Sequence, residues 1–236
     1  MPSILVTVDD TPSAVAARKL AVTLARQCGA RIKGVTALDL ADLDRVEPFP
    51  TGSAQHAYDR LKHREKLAAE RRAQIAGLPT LFRRSMADAG IETDCPTLEG
   101  DIRKELLAMI ETCDLVVTGR DTEFDLEPIE GMTSLVEHII AKGCRPVVVT
   151  GPELSASGPV LVAYDGSAPA AKALQMAAMM GVFTATKAHL LSIAQDRSTA
   201  TIVAERAHTF LEGHGIVAEI ETIESTDHPA RILVKR

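Results

Sequence analysis

The chain repeats itself. Residues 4–39 and 160–195 align without a gap at a constant offset of 156, so that "ILVTVDDTPSAVAARKLA" lies over "VLVAYDGSAPAAKALQMA". A repeat of this size means that both stretches take the same supersecondary form, which removes most alternative topologies at once. Each copy has a short apolar run, an Asp at its end, a turn of small residues and then a helical period. In the first, Ala17, Leu20, Ala21 and Leu24 recur at i, i+3, i+4 and i+7, one face of a helix. Thr11 before Pro12 supplies an N-cap followed by Pro at the first helical position. The second copy does the same with Ala170, Ala173, Leu174 and Ala177. A second strand follows each helix, "RIKGVTAL" at 31–38 and "KAHLLSIA" at 187–194.

The copies then diverge and rejoin. The first carries an extra segment with "PFPTGS" and a helix at about 58–74, whose alternating charges read as a solvated face. Gly77 and Pro79 should break that helix before it ends near Gly90. A third strand, "IETDCPTLEG", matches "IVAEIETIES" of the second copy. The first copy continues with a helix carrying Ile102, Leu106 and Ile110, a strand "DLVVTGR", a helix at 133–142 and a strand "RPVVVT". Strands alternating with helices predict a doubly wound parallel α/β sheet. The expected organisation is a first domain at 1–150, a linker at 151–158 and a second, incomplete domain at 159–236. Aligning "DIRKELL" with "DHPARIL" leaves the second copy without counterparts of residues 111–150. The expectation is that the natural chain is longer or that a partner covers the gap.

Composition narrows the functional classes. Aromatic residues make up 3% of the chain and Trp is absent, so few platforms exist for stacking bases, and the net charge of −6 opposes a phosphate-backbone partner. Nucleic acid is therefore not expected. No apolar run reaches the roughly 20 residues that span a bilayer, and no basic leader precedes the first strand, so the expected setting is cytoplasmic and away from membranes. Cys28, Cys95, Cys113 and Cys144 form no Cys-x-x-Cys pair and are expected to be buried thiols without metal or disulfide. No Gly-x-Ser-x-Gly elbow, Walker loop or metal-ligand spacing occurs, and no enzymatic activity is expected.

The adjacent acids Asp9 and Asp10 suggest a magnesium pocket of the phosphoacceptor receiver kind, and Asp101 could supply its third carboxylate. The last strand, however, opens "RPVVV" and brings no Lys, and the second copy reads Asp165-Gly166 where the first has two acids. Asp9 thus keeps a counterpart, whereas Asp10 does not. Asp10 is expected to help start the helix at Thr11.

The strand, Asp, small turn and helix, followed in order by "LEGDIRKELL", "DLVVTGR" and "RPVVV", resemble a universal stress protein domain. The whole chain resembles a tandem pair of such domains, the second one cut short. The resemblance implies a sheet of order 3-2-1-4-5, a stress-response role and, in many members, bound ATP or AMP. It places adenine near Asp9 and Ala37 in the first copy, and near Asp165-Gly166-Ser167 and Ile193 in the second. It also implies a G-x-x-G-(nine residues)-G-S/T phosphate loop starting at Gly119 and Arg120. Here Thr122 stands at the second glycine position, and Gly131 comes one residue early, before Met132. Asp121, Glu123, Asp125, Glu127 and Glu130 face a single Arg120, which opposes a polyphosphate. The nucleotide site is therefore expected in a full-length second copy, with the first acting by packing and pairing. The competing expectation is a self-associating interaction module of the same fold without bound nucleotide.

Overall fold

The computed structural model describes residues 1–38, 54–122, 124, 134–154, 158–184 and 186–234. The chain divides into two compact units, Met1–Leu154 and Ser155–Arg236.

The first unit runs β1 (Ser3–Thr7), α1 (Pro12–Cys28), β2 (Arg31–Leu38), α2 (Ala54–Ile75), α3 (Leu78–Asp88), β3 (Thr97–Glu99), α4 (Ile102–Glu111), β4 (Leu115–Gly119), α5 (Leu135–Lys142) and β5 (Val147–Thr150). Its five strands form one parallel sheet, as the alternation of strands and helices predicted, in the order β3-β2-β1-β4-β5 that the resemblance implied. The central strands β1 and β4 are continuous apolar runs because helices cover both of their faces. Ile4 stands opposite Ile32 on one side and Leu115 on the other.

Helix α1 begins where the sequence places it. Thr11 takes an extended conformation and its hydroxyl accepts the Ala14 N–H, while Gly29 ends the helix in the left-handed region at φ 68°. Ala14, Ala17, Ala21 and Leu24 are buried, and the alanines let the helix lie close to the sheet. On this same side α3 inserts Phe82, which is fully buried. Gly34 of β2 makes room for it: a Cβ there would stand 2.6 Å from the Phe82 ring and 2.9 Å from Cys95 Sγ. The opposite side of the sheet holds a cluster of Leu5, Val35, Ala37 and Leu98 with Ile102, Leu106 and Ile110 of α4 and Leu135 and Ile139 of α5.

Two sequence expectations change in detail. The third strand is regular only over Thr97–Glu99, although the chain before it already lies along β2, with Gly34 N–H donating to Asp94 O (2.8 Å) and Thr36 N–H to Pro96 O (3.1 Å). Pro96 has no N–H to return, so the ladder is one-sided until it is passed. The cysteines are also not uniformly buried. Cys95 and Cys113 are, but Cys28 is half-buried and Cys144, in the turn between α5 and β5, is exposed. Burial pushes the Cys95 thiol up to about 12 and Cys113 to about 11, with neighbouring arginines only partly opposing it. Thiolate is the reactive form. In native protein near pH 8, iodoacetamide should therefore label Cys144 first and leave Cys95 and Cys113 unmodified, as peptide mass mapping can show. Labelling of Cys95 as fast as Cys144 would contradict this packing.

The second unit runs β6 (Val160–Ala163), α6 (Ala168–Met179), β7 (Ala188–Ala194), α7 (Arg197–Gly213), β8 (Ala218–Glu224) and α8 (Pro229–Leu233). Its strands form a parallel three-stranded sheet in the order β6-β7-β8. The core is Leu174, Phe183, Ala188 and Leu190 against Ala204, Ala207 and Leu211 of α7. Strand β8, which has no internal proline, is regular over its whole length.

Candidate functional site

In an open parallel sheet, a crevice forms beyond the carboxyl ends of the strands where the strand order reverses, here between β1 and β4. Asp9 stands at that point. Val8 N–H still pairs with Val35 O (2.8 Å), so the chain leaves the sheet at Asp9 itself. One carboxylate oxygen, Oδ1, accepts the Thr11 backbone N–H (2.9 Å) and the Thr11 hydroxyl. The Thr11 hydroxyl oxygen in turn accepts Ala14 N–H at 3.2 Å. Half of the carboxylate is thus spent on building the turn that starts α1. The other oxygen, Oδ2, is buried and has no hydrogen-bond partner. Asp10, by contrast, is exposed and lies one residue ahead of the cap.

Gly119 closes β4 directly beneath the first turn of α1. A Cβ there would meet Ala14 N and Ser13 Oγ at 2.6 Å and Ser13 C at 2.8 Å. The glycine is therefore required by close approach of helix to strand, whatever else it does. Arg120 is exposed and its guanidinium pairs with the neighbouring Asp121 (3.6 Å). Ala37, near the end of β2, is buried within the apolar cluster on the α4 side. Gly131, Met132 and the acids Glu123, Asp125, Glu127 and Glu130 lie outside the described residues.

A set of hydroxyls that sequence reading did not single out ties the strand ends together. Thr7 donates to Thr118 across β1 and β4 (2.7 Å, buried), and Thr150 Oγ1 donates to Ser13 O (2.8 Å). Ser13 Oγ accepts the Asp121 N–H (3.2 Å). The signal was available as Thr or Ser at the ends of three strands and the start of one helix. Thr122 is fully buried with an unpartnered hydroxyl. Two residues on, Phe124 adopts φ 54° and buries its ring in the apolar cluster. A left-handed aromatic residue costs on the order of 1 kcal/mol, which burial of the ring more than offsets. The departure from β4 is thus set by an anchored ring and a buried Thr, where a phosphate cradle would have glycines.

The second unit repeats the local geometry of the Asp turn. Asp165 Oδ1 accepts Ser167 N–H (2.9 Å), and Ser167 Oγ accepts Ala170 N–H (3.3 Å). The Ser167 hydroxyl and N–H hold the Asp165 carboxyl below the usual carboxylate range. The turns differ at the middle residue: Gly166 sits at φ 78°, whereas Asp10 has no positive φ. Asp165 is exposed, Ile193 of β7 is half-buried opposite Ile223, and among the described residues no strand lies on the far side of β6. Asp165, Gly166 and Ser167 are therefore assembled, while the opposite wall of a crevice is not.

A depression of about 360 Å³ opens at the other end of the first sheet, lined by Ser3, Arg31, Lys33, Glu92, Thr93 and Cys113 among others. It shares nothing with the crevice at Asp9. Among the described residues, no group of three or more His, Cys, Asp or Glu could hold a metal ion, and no helix is long and apolar enough to cross a membrane.

No family model matches the chain, and no curated protein does. Solved structures do. A universal stress protein from Archaeoglobus fulgidus superposes with a TM-score of 0.65 at 20% identity, over 99% of this chain and 82% of that one. A universal stress protein from Lactobacillus plantarum gives 0.47 at 18% identity over 63% and 97%. A universal stress protein family protein from Arabidopsis thaliana, with AMP bound, gives 0.41 at 13% over 64% and 92%. With its parallel sheet in the order 3-2-1-4-5, the chain has the α/β fold of the universal stress proteins.

Proposed function

We propose that this chain is a stress-response protein of the universal stress protein kind, with two copies of one α/β unit in tandem. It holds an adenine nucleotide as a regulatory ligand and does not turn it over. We place it in the cytoplasm, self-associated, with no nucleic-acid or membrane partner. The observation that carries the nucleotide reading is the buried, unpartnered Oδ2 of Asp9 at the switch point. Leaving such an acceptor unmet costs about 1–3 kcal/mol, which a ligand N–H or O–H can recover. The adenine amino group is such a donor, and the resemblance puts adenine beside this residue.

The phosphate side is different. With one Arg120, itself paired to Asp121, and five acids in the following sequence, each added phosphate meets more repulsion. The first unit is thus proposed to keep the nucleoside end of the site and to have lost the polyphosphate end. Asp165, Gly166 and Ser167 of the second unit are proposed as contacts of the same kind.

Isothermal titration of the full chain should show adenosine or AMP binding more tightly than ATP. Asp9→Asn keeps one carbonyl oxygen for Thr11 but replaces the free acceptor by an N–H donor. It should weaken binding by about tenfold, equivalent to one hydrogen bond of roughly 1.4 kcal/mol, with little change in melting temperature. Failure of all three ligands to bind at millimolar concentration would overturn the nucleotide reading for this chain.

A further inference from the structure

We infer that the depression at the amino end of the first sheet binds a small organic monoanion, a carboxylate with a short apolar body. It shares no residue with the crevice at Asp9, so the inference stands whatever binds there. The depression measures about 360 Å³, within the range of roughly 300–1,000 Å³ usual for small-molecule sites. Part of its lining is apolar: Leu5 is buried, and Met109 of α4 packs against the same cluster. Arg31 and Lys33 of β2 line it too. They share the strand face of Val35 and Ala37, which is the α4 side of the sheet, and lie about 6.6 Å apart along the strand. Two long side chains at that spacing can meet one carboxylate.

The other polar side chains around them are already engaged. Ser3 gives both its N–H and its hydroxyl to Asp114 Oδ2, at 2.8 and 2.9 Å. The Thr93 hydroxyl donates to Ile32 O (2.6 Å). At the end of α4, where bare carbonyls attract cations, Thr112 Oγ1 donates to Met109 O (2.8 Å) and Cys113 Sγ to Ile110 O (3.3 Å). Asp94 accepts the Cys95 N–H (2.8 Å) and pairs with Arg83 at 3.8 Å. Arg31 and Lys33 are exposed and, among the described residues, enter no ion pair.

The second unit shows the same strand face with its polar groups met from within. At the offset of 156, Arg31 answers to Lys187 and Lys33 to His189. Lys187 Nζ lies 3.5 Å from Glu219, and His189 Nε2 lies 2.8 Å from Glu221, both acids of β8. By strand register, Asp94 stands in the first unit where the second has Glu219, and Pro96 where it has Glu221. Asp94 is taken by Arg83 and Pro96 carries no charge, so the two cations of β2 are left for an anion from outside. Glu92, also in the lining, and the net charge of −6 weigh against a second negative charge on that anion. This selects a carboxylate over a phosphate.

The probe is octanoate, added to the full chain carrying isotope-labelled methionine methyl groups and followed by NMR. It should shift the Met109 methyl resonance with a Kd of about 1 mM and leave Met176 and Met179 of the second unit unmoved. Arg31→Gln together with Lys33→Gln should keep the melting temperature and weaken octanoate about tenfold, the effect of two partly exposed charge pairs. Octanol, which has the apolar body without the charge, should bind about tenfold more weakly than octanoate. Glu92→Gln should tighten octanoate about threefold. No shift of Met109 at about 10 mM octanoate overturns the proposal, as do equal shifts at Met176 and Met179. So does octanol binding as well as octanoate, or a double variant that binds like the parent chain. Octyl phosphate binding more tightly than octanoate overturns the choice of a monoanion.

Discussion

Replacing Phe82 with alanine is expected to destabilise the first unit by about 3–5 kcal/mol, the usual cost of emptying a fully buried aromatic site. The ring is 0% exposed and is held between Gly34 on β2 and the rest of α3. A domain of this size has only about 5–15 kcal/mol to lose, so roughly a fifth or more of its stability rests on this one side chain. Urea unfolding followed by circular dichroism measures it. The pairing with Gly34 makes a sharper test. Gly34→Ala alone puts a methyl 2.6 Å from the ring and 2.9 Å from Cys95 Sγ, and should cost about 1–3 kcal/mol by overpacking. With Phe82→Ala already present, most of that cost should vanish, giving a coupling of opposite sign to the single effects. Additive costs would show that the ring and the glycine do not share one space.

The second large effect is expected at Gly119. Substitution by alanine or valine drives a Cβ into the backbone of Ser13 and Ala14, atoms that cannot move without shifting the first turn of α1. The loss should be about 1–3 kcal/mol for alanine and larger for valine. The damage spreads because the same turn accepts Thr150 Oγ1 at Ser13 O and Asp121 N–H at Ser13 Oγ. The measurement is the melting temperature of the full chain with ligand absent. If Gly119 served only to let a phosphate approach, valine there would leave the ligand-free fold untouched and abolish binding. An unchanged melting temperature would therefore refute the packing role.

Much of the fold was legible along the chain because its causes are local. Thr11 and Ser167 could be read as caps from the residues beside them, since the bonds they accept come from three residues away. The break at Gly77 and Pro79 appears as the end of α2 at Ile75 and the start of α3 at Leu78. The apolar runs of β1 and β4 announced strands covered on both faces. Comparing the copies also separated Asp9 from Asp10, because a residue with a counterpart is held by something common to both turns.

The site divides along the same line. One oxygen of Asp9 is committed to Thr11, two residues on, and that role follows from the local sequence. The isolation of the other oxygen depends on what the fold brings around it, and no spacing in the chain encodes that. Gly119 reads in sequence as the first glycine of a phosphate loop. Only the crossover that lays α1 over β4 reveals that its missing side chain is needed for packing. The sequence alone determined the elements, their caps and the equivalence of the two Asp turns, since these rest on contacts within a few residues. Tertiary structure decided which oxygen is free and which glycine is a close contact, because each depends on segments that meet only when the sheet assembles.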